Sequence, residues 1–520
     1  MASHALLIMV LIKTGLQFAE IEGSITHHKL YAVTAFSAHK NILAETLFLG
    51  SALSCAGLFV LKNKVLRIIS VALPILAIVC IGLLYARGAW VGLLVSTVMG
   101  LMLFIIKFRA KAIKIGLYAI LMVGAAIFMV FGIIKFTDKD NTYRIHVHSI
   151  LDFQYGTTKD RLQLWKKTVD VYQASPVTGT GFGDWKIDIL AEGNEKIKSE
   201  DNVTFYQRPH NDLLWILTEN GTIGLLLYLA FFLHSLLLLA NRYIKCKDSF
   251  AAVYLVCFAA LWGYLVLGLF NFPHERIEHL SFLALFFALA FNIHKKETNP
   301  GITLNHYLLP VLTATLLFLL ERSRNEKMFK QLLSHKVALQ WVEVLNASKK
   351  INHGLYPLDP YSTPIAWYQG LAYYVLKQEQ NALLCFEKAV KVNPHHIHAL
   401  NNAGALHEKN GSHQLAMHYL ERSNKIAPNF QETSFNLALI CYQQKKYDEA
   451  YVYLRQIDEE QAKQNPRFGA LYEAIAEQKT NNLHKALKNK QLSETLLRIL
   501  KDKTWLHDLH YRSIKKQDWI

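Results

Sequence analysis

The chain has 520 residues, 52% of them hydrophobic, and a formal net charge of +16. Its mean hydropathy of +0.16 is too high for an ordinary soluble protein and too low for a protein buried wholly in lipid, which predicts two unlike parts. The positive charge does not indicate nucleic-acid binding, because much of it lies in short connections between apolar runs. The six cysteines lack zinc-type or redox-type spacing, so we expect no disulfide framework.

Apolar runs of roughly 20 residues, the length that crosses a bilayer as a helix, predict a polytopic transmembrane bundle. They lie near residues 42–61, 68–85, 89–106, 115–135, 221–240, 251–270, 279–294 and 303–320. The stretch 1–18 is interpreted as a doubtful helix and not as a signal peptide, because Lys13 interrupts it and no small-residue cleavage site follows. The runs stop near residue 322, which predicts a transmembrane domain at 1–321 and a second domain at 322–520.

Basic residues cluster in four of the connections, which the positive-inside rule assigns to the cytoplasm. They are Lys62, Lys64 and Arg67; Lys107, Arg109, Lys111 and Lys114; Arg242, Lys245 and Lys247; and Lys295 and Lys296. Because successive spans alternate in direction, residues 37–41, 85–90, 271–279, the long loop 136–212 and everything after 321 are then predicted to lie outside. All the polar motifs discussed below fall on that one face.

The tail carries a 34-residue period of small and large apolar residues. The matching sets are Gly370, Gly404 and Ala438; Ala382, Ala416 and Ala450; Phe386, Leu420 and Leu454; and Pro394 with Pro428. This is the tetratricopeptide pattern, and it predicts an α-solenoid whose clearest repeats span 363–460. Residues 323–362 are predicted to add a degenerate leading repeat, and 467–520 an amphipathic capping helix. Such a stack presents a groove for a protein or peptide.

Two arginines are candidates for binding phosphate. Arg87 lies between two predicted spans in "YARGAW", and Arg161 lies with Trp165 on a predicted amphipathic helix inside the loop 136–212. Guanidinium groups are planar, permanently charged forks that match phosphate oxygens. The alternative for Arg87 is that its side chain reaches the lipid headgroups.

His210 is the candidate general base, since a near-neutral imidazole at the water–lipid boundary can accept a proton from a hydroxyl. Its neighbours Asn211 and Asp212 have a structural interpretation, as a cap and as an anionic residue at the start of the following helix. His210 gains nothing from that interpretation, although a lone histidine is often structural.

Further residues on the same face are predicted to line the site or to anchor the chain at the interface, and the sequence does not separate these alternatives. They are His39, Lys40, Asn41, Asn211, His274 and Arg276. "GTGFG" (179–183) is a weak phosphate-loop motif because it follows no strand and lacks the lysine. "HVH" (146–148) is a weak ligand pair, so we expect neither a metal nor another cofactor.

Four segments together resemble the O-antigen ligase family of bacterial membrane glycosyltransferases: "AHKNILAETL", "YARGAWVGLL", "RLQLWKK…PVTGTGFGDW" and "HNDLLWILTENGTIGLLLY". The resemblance covers roughly residues 30–295. It implies metal-independent, inverting transfer of a glycan from an undecaprenyl-pyrophosphate carrier to an acceptor hydroxyl, on lipid A core or a protein Ser/Thr. It also implies a multi-pass inner-membrane protein with its site and repeats in the periplasm. Arg87 and Arg161 match the family's pyrophosphate-binding arginines, and His210 matches its proposed base.

Two departures and two alternatives accompany this resemblance. Family members usually have more spans, so we expect that amino-terminal helices are missing or that the start is shortened. The repeat tail is not part of the core family, which leaves the acceptor open and favours a protein. The alternatives are a polysaccharide polymerase, which would use a similar donor, and a non-catalytic scaffold in which the spans anchor the repeats.

Overall fold

The computed structural model describes residues 2–21, 27–37, 39–108, 156–193, 206–292, 305–457 and 465–487. Within these ranges the fold is all-α and contains no β-strand, which confirms the predicted fold class. The chain forms two compact units, Met1–Trp185 with Arg208–Gly301 and Lys186–Gln207 with Ile302–Ile520. The predicted span 115–135, the "HVH" pair and much of the loop 136–212 lie outside the described residues.

The first unit is a bundle of apolar helices. Its helices are α1 (Ala2–Ala19), α2 (His27–Leu30), α3 (Lys40–Val60), α4 (Lys64–Leu83), α5 (Arg87–Phe108), α6 (Gly156–Ala174), α7 (Trp185–Asp188, which crosses into the second unit), α8 (Asp212–Lys245), α9 (Phe250–Phe270) and α10 (Ile277–Asn292). Among the described residues, α3, α4, α5, α8 and α9 are long and apolar enough to cross a membrane. The protein is therefore a multi-pass membrane protein, and the doubtful first stretch is helical.

Close helix packing places the residues that precede and follow each span. The backbones of α5 and α9 approach through glycines, because a Cβ on Gly92 would lie 3.4 Å from Gly263 O and one on Gly263 would lie 3.2 Å from Gly92 O. Small residues at such contacts let membrane helices pack by van der Waals attraction where no water drives them together. At the start of α4 the Asn63 side chain accepts the amide of Val65 at 2.8 Å and so caps the helix.

The connections divide between the two ends of the bundle as the alternation predicted. At one end Lys107 Nζ donates to the carbonyls of Tyr243 and Cys246, at 2.7 and 2.6 Å, and joins α5 to the end of α8. At the other end Lys40 Nζ donates to Leu84 O at 3.0 Å and joins the start of α3 to the turn before α5. We call this second end, where α3, α5, α8 and α10 begin, the site end.

Helix α8 is interrupted near the site end, and the "GTGFG" loop fills the break. Gly221 has φ 67° and ψ −173°, which frees backbone groups that apolar surroundings must not leave unpaired. The amides of Thr180 and Gly181 donate to the carbonyls of Thr218 and Glu219, at 3.0 and 3.1 Å, and Thr222 N donates to Pro176 O at 2.9 Å. The glycine-rich loop is therefore a backbone partner of the kink.

The second unit is a stack of helix pairs. Its helices are α11 (Asn305–Val337), α12 (Trp341–Lys350), α13 (Ile365–Val375), α14 (Glu379–Val392), α15 (Ile397–Lys409), α16 (His413–Ile426), α17 (Gln431–Gln443), α18 (Tyr447–Leu454) and α19 (Pro466–Leu487). The predicted boundary at 321/322 falls inside the continuous helix α11, and the predicted span 303–320 coincides with the start of that helix.

The predicted 34-residue period corresponds to contacts inside each pair. A Cβ on Gly370 would lie 2.6 Å from the ring of Phe386, and one on Gly404 would lie 2.6 Å from Leu420, so each small residue makes room for the large one of its partner helix. The link between the two helices of each pair carries a left-handed residue at Lys377, Gly411 and Lys445. Helix α19 packs on α17 and α18 through a shared apolar cluster, as expected for a capping helix. Residues 488–520 of the predicted cap lie outside the described residues.

One short segment of the loop 136–212 belongs to this second unit. It contains the 3-10 turn Ile189–Glu192. Leu190 is 1% exposed and packs in an apolar cluster with Ile397, Ile426 and Phe430 of the repeats. The second unit thus includes chain from the large loop as well as from the tail.

Candidate active site

Arg87 and Lys40 lie where α3 meets the turn between α4 and α5. Arg87 is the first residue of α5 and is partly buried, and the turn before it contains Tyr85 with φ 52°. Lys40 is 3% exposed, and besides its bond to Leu84 its ammonium lies 5.2 Å from the ring centre of Tyr31. Lys40 therefore has a structural role here, holding the turn that presents Arg87.

Helix α6 carries Arg161 and contacts two other segments of the site, the carboxyl end of α9 and the residues that precede α8. Arg161 Nη1 donates to Phe270 O at 3.0 Å, at the carboxyl end of α9, and Trp165 Nε1 donates to Pro209 O at 2.8 Å. The first bond uses part of the Arg161 guanidinium. Burial lowers the pKa of Arg161, and so does the charge of Arg87, because the two cations lie close enough to repel each other.

His210 is held between these elements in a strained backbone conformation. Its φ of 55° is uncommon for a residue with a side chain, and its ring meets the ring of Phe272 edge-on, with 5.2 Å between centroids. Its Nδ1 is buried and has no hydrogen-bond partner among the described residues. Burial lowers the pKa of His210 to about 4; the charges of Arg161, Arg208 and His39 act in the same direction, and a hydrogen bond with Asn271 opposes them.

His39 completes this group at the start of α3. Its Nδ1 accepts the amide of Asn41 at 3.1 Å, which caps the helix, and Tyr31 packs edge-on against its ring at 5.1 Å. Burial lowers the pKa of His39, and the charges of Lys40, Arg276 and Arg161 lower it further. The backbone amide of Asn41 is satisfied by this bond to His39, so it needs no ligand as a partner.

Asp212 and His274 form a pair that the sequence did not suggest. Asn211 caps α8 by accepting Leu214 N at 3.1 Å, as predicted. Asp212 does more than favour the helix start: its Oδ1 lies 2.5 Å from His274 Nδ1, and its Oδ2 accepts the His274 amide at 3.1 Å. Burial alone would lower the pKa of His274, but the hydrogen bond and charge of Asp212 raise it.

Phe272 is flanked by two further arginines. The guanidinium carbons of Arg208 and Arg276 both lie 4.8 Å from its ring centre, at distances typical of cation–π contacts. Arg208 also forms a two-point ion pair with Glu275. Arg276, one of the predicted lining residues, thus reaches the aromatic wall that His210 also contacts.

Besides Arg208 and Phe272, sequence reasoning missed Glu45 and Asn271. Glu45 lies on α3 and is 3% exposed, and Asn271 follows the last residue of α9 and donates a side-chain hydrogen bond to it. A signal for Glu45 was present, because a carboxylate inside an apolar span is costly and usually functional. Asn271 offered none, since its importance depends on a partner 226 positions away.

The structure thus brings Arg87, Arg161, His210 and His39 together at the site end. Beside them Arg276 lies against Phe272, and His274 packs against Trp215. Lys40, Asn41 and Asn211 lie in the same region with structural contacts. In the described part of the chain no group of three or more His, Cys, Asp or Glu residues could hold a metal ion. The arrangement offers fixed cations for an anionic ligand and a neutral imidazole next to them.

Two family models match separate parts of the chain. Residues 47–229, which include both arginines and His210, match the family model described as O-Antigen ligase. Residues 376–457 match the model described as Anaphase-promoting complex, cyclosome, subunit 3, a tetratricopeptide-like repeat family. No curated protein matches the chain. The chain therefore combines an O-antigen ligase family domain in its membrane bundle with tetratricopeptide-like repeats in its tail, as its sequence motifs predicted.

Proposed function

We propose that this protein is an inverting membrane glycosyltransferase, which moves a glycan from an undecaprenyl-pyrophosphate carrier to an acceptor hydroxyl. The observation that carries the proposal is the approach of Arg87, Arg161 and His210 to one another within the matched domain. They come from three different elements, so their common position at the site end is a property of the fold.

In the proposed reaction the acceptor oxygen attacks the anomeric carbon while the bond from that carbon to the diphosphate breaks. His210 accepts the proton of the acceptor hydroxyl, and the bonding electron pair leaves with the diphosphate. Arg87 and Arg161 neutralise the charge that develops on the leaving group. A single displacement of this kind inverts the anomeric centre.

The charges around His210 suggest how the base is activated. With an empty site, the positive charge of Arg161 helps to keep the pKa of His210 near 4, which makes the ring a weak base. A diphosphate bound to Arg161 would offset that charge and raise the pKa toward the working pH, where a general base is most efficient. Donor binding would therefore precede efficient deprotonation of the acceptor.

The acceptor and the location belong to the same proposal. The acceptor is lipid A core or a protein Ser/Thr, and the tetratricopeptide-like repeats favour a protein because such stacks bind peptides. The protein lies in the bacterial inner membrane with its site end and repeats in the periplasm. Support comes from Lys62, Lys107 and Arg242, which lie toward the opposite end.

Donor consumption by the purified full chain tests the catalytic proposal. With lipid-linked glycan as donor, His210→Ala should reduce turnover by roughly 10²–10⁴-fold, the usual contribution of a general base. Arg161→Ala should weaken donor binding, whereas Lys159→Ala, which removes an exposed cation from the same helix, should not. Wild-type turnover in His210→Ala and Arg161→Ala would instead favour the scaffold alternative.

Deletion of the gene separates the possible acceptors. Glycan profiles of lipopolysaccharide and of envelope proteins would be compared with those of the parent strain. Loss of glycan from proteins alone identifies a protein acceptor, and loss from lipopolysaccharide alone identifies lipid A core. Shortened polymers with normal attachment would indicate the polymerase alternative, which the family match also allows.

A further inference from the structure

Arg276 is a cation at the site end whose N–H groups have no acceptor in the described part of the chain. It lies between the turn Pro273–Glu275 and helix α10, and its guanidinium carbon is 4.8 Å from the ring centre of Phe272. Its side chain forms no hydrogen bond or ion pair with a described residue, although its Nε is buried. A cation–π contact uses the charge of a guanidinium and leaves its N–H donors unsatisfied. These donors are therefore available to a ligand.

Arg208 contacts the same ring and shows how the protein satisfies such a cation internally. Its guanidinium carbon also lies 4.8 Å from the ring centre, but Glu275 binds it at two points. Both oxygens of Glu275 are thereby used. The other carboxylates near Arg276 are Glu278 and Glu45, and neither forms an ion pair with it in the described ranges. Of two neighbouring arginines, one is thus neutralised and the other is not.

The missing partner is costly because Arg276 is partly buried. Its pKa is lowered, first because the side chain loses water and then because the charge of Arg208 repels it. A desolvated charge without an acceptor destabilises a folded protein, and such charges are typical of functional sites. A bound anion would replace the lost water and offset the repulsion, and charge-assisted hydrogen bonds to a guanidinium are strong.

The connection between α9 and α10 holds Arg276 close to groups that bind the donor in the proposed function. Arg161 Nη1 donates to Phe270 O at 3.0 Å, and the ring of Phe272 contacts both Arg276 and His210. Positions 270 and 272 are at most about 7 Å apart along the backbone. The two guanidinium groups are thus held by one short segment, where a single ligand with two anionic groups can contact both.

We propose that Arg276 is a third donor-binding arginine, which holds a phosphate oxygen of the donor diphosphate beside the oxygens held by Arg161. A diphosphate between a glycan and a lipid carries one negative charge on each phosphate, so it presents neighbouring anions to neighbouring guanidinium forks. The inference rests on the proposed function, because it adds a residue to the donor site of that reaction.

Binding of undecaprenyl diphosphate to the purified full-length chain, in nanodiscs of zwitterionic lipid, tests this role. Arg276→Gln should raise the Kd about ten- to a hundredfold, the usual effect of losing a hydrogen bond between charged groups. Arg276→Lys keeps the charge but not the fork, so it should raise the Kd less, about three- to tenfold. The lysine variant supplies the test if Arg276→Gln does not fold.

Lys13→Gln is the matched control. Lys13 is also partly buried and also lies over an aromatic ring, with Nζ 4.3 Å from the ring centre of Phe36, but it belongs to α1 and not to the candidate site. Its loss removes a cation from the same kind of contact. Thermal stability should fall slightly, and the Kd should change by less than about twofold because a charge outside the site is screened.

A second arm separates the donor from lipid headgroups, whose phosphates have the same chemistry. Spin-labelled phosphatidylglycerol in the nanodiscs reports how much of this lipid the protein immobilises. Arg276→Gln should leave that amount unchanged. Less immobilised phosphatidylglycerol together with a wild-type Kd for undecaprenyl diphosphate would assign Arg276 to headgroup binding and overturn the proposal.

The proposal also fails if both Arg276 variants bind undecaprenyl diphosphate like wild type while Arg161→Ala binds it weakly. Arg276 would then only support Phe272, and a loss of thermal stability without a change in Kd would show it. Failure of the proposed function gives a different pattern, because the wild-type protein itself would not bind undecaprenyl diphosphate and Arg161→Ala would change nothing. That pattern would overturn both proposals.

Discussion

Single residues at the site end have unusual proton affinities because cations surround them in a desolvated place. His210 meets Arg161 and Arg208 and loses water, so the neutral ring is favoured. His274 is also partly desolvated, yet the carboxylate of Asp212 outweighs that effect and favours the charged ring. The pKa values of these two histidines thus shift in opposite directions because their immediate partners differ.

The first residue-scale prediction concerns the acid limb of activity. The neutral ring is the base, so kcat/KM should hold steady from neutral pH downward and fall only through a pKa of about 4. Arg208→Gln removes a charge that lowers this pKa, so its acid limb should move to higher pH. Rates would be measured after brief acid exposure, with return to neutral pH as the control for irreversible loss. A wild-type midpoint near the ordinary value for histidine would contradict the assignment.

The second residue-scale prediction concerns the Asp212–His274 pair and thermal stability. Because the folded-state pKa of His274 is raised, the pair's contribution is fully present below the unfolded pKa and disappears as pH rises through the folded pKa. His274→Asn should therefore cost roughly 3 kcal/mol at pH 5.5 and progressively less at alkaline pH. The measurement is the melting temperature across pH, with His418→Asn as an exposed-histidine control. A pH-independent difference would show that the charge is unimportant.

At the scale of elements, the site depends on the loop that fills the break in α8. Backbone pairs between 176–181 and 218–223 join α6, through its following loop, to the helix that begins beside His210. The same α6 presents Arg161, so this loop sets the spacing between the arginine and the base. Its glycines have a structural reason, since Gly179 has φ 78° and its Cβ position lies 2.2 Å from Glu219 O.

Gly179→Ala and Gly183→Ala form a matched pair for this loop. Both glycines have positive φ, 78° and 87°, but a Cβ on Gly183 meets no atom within 4 Å. Gly183→Ala should therefore cost about 1–2 kcal/mol, the penalty of the left-handed conformation alone. Gly179→Ala adds a clash with backbone and should cost more than about 4 kcal/mol. Equal shifts in melting temperature would mean that the loop moves away from α8 at little cost.

At the scale of the whole molecule, chain direction places all the candidate residues at one end of the bundle. Helices α3, α5 and α8 each begin at the site end, so Lys40, Arg87 and Asp212 are first residues of apolar helices. The short connections at the opposite end carry more basic residues, Lys62 and Lys107 among them, than those at the site end, which carry Lys40 and Arg87. The proposed orientation rests on that difference, because basic residues in short connections favour the cytoplasmic side.

Cysteine labelling measures that orientation directly. In a cysteine-free background, Ala32→Cys precedes α3 at the site end and Lys62→Cys follows it at the other end, and both positions are exposed. A membrane-impermeant maleimide added to intact spheroplasts should label Ala32→Cys, and should label Lys62→Cys only after permeabilisation. The reverse pattern would place the site in the cytoplasm and contradict the proposed use of an outward-facing donor.

Much of the architecture was predictable because it depends on local periodicity. Long apolar runs predicted α3, α4, α5, α8 and α9, and the 34-residue period predicted the pairing of small and large residues in the repeats. The alternation of spans also placed Arg87, Arg161 and His210 on one face. A hydrophobic helix and a repeat are both specified by residues close in sequence, so one sequence suffices to recognise them.

The sequence by itself therefore determined the class of fold, the membrane bundle with its repeat tail, and the residue types gathered at one face. Only the tertiary structure decided that Asp212 pairs with His274, that Glu45 holds Asn271, and that "GTGFG" fills a helix break. Each of these contacts joins residues from elements far apart in the chain, where a buried polar group takes whichever partner the packing brings within hydrogen-bonding distance. No local pattern encodes that partner, because burial and distance arise only when the helices pack.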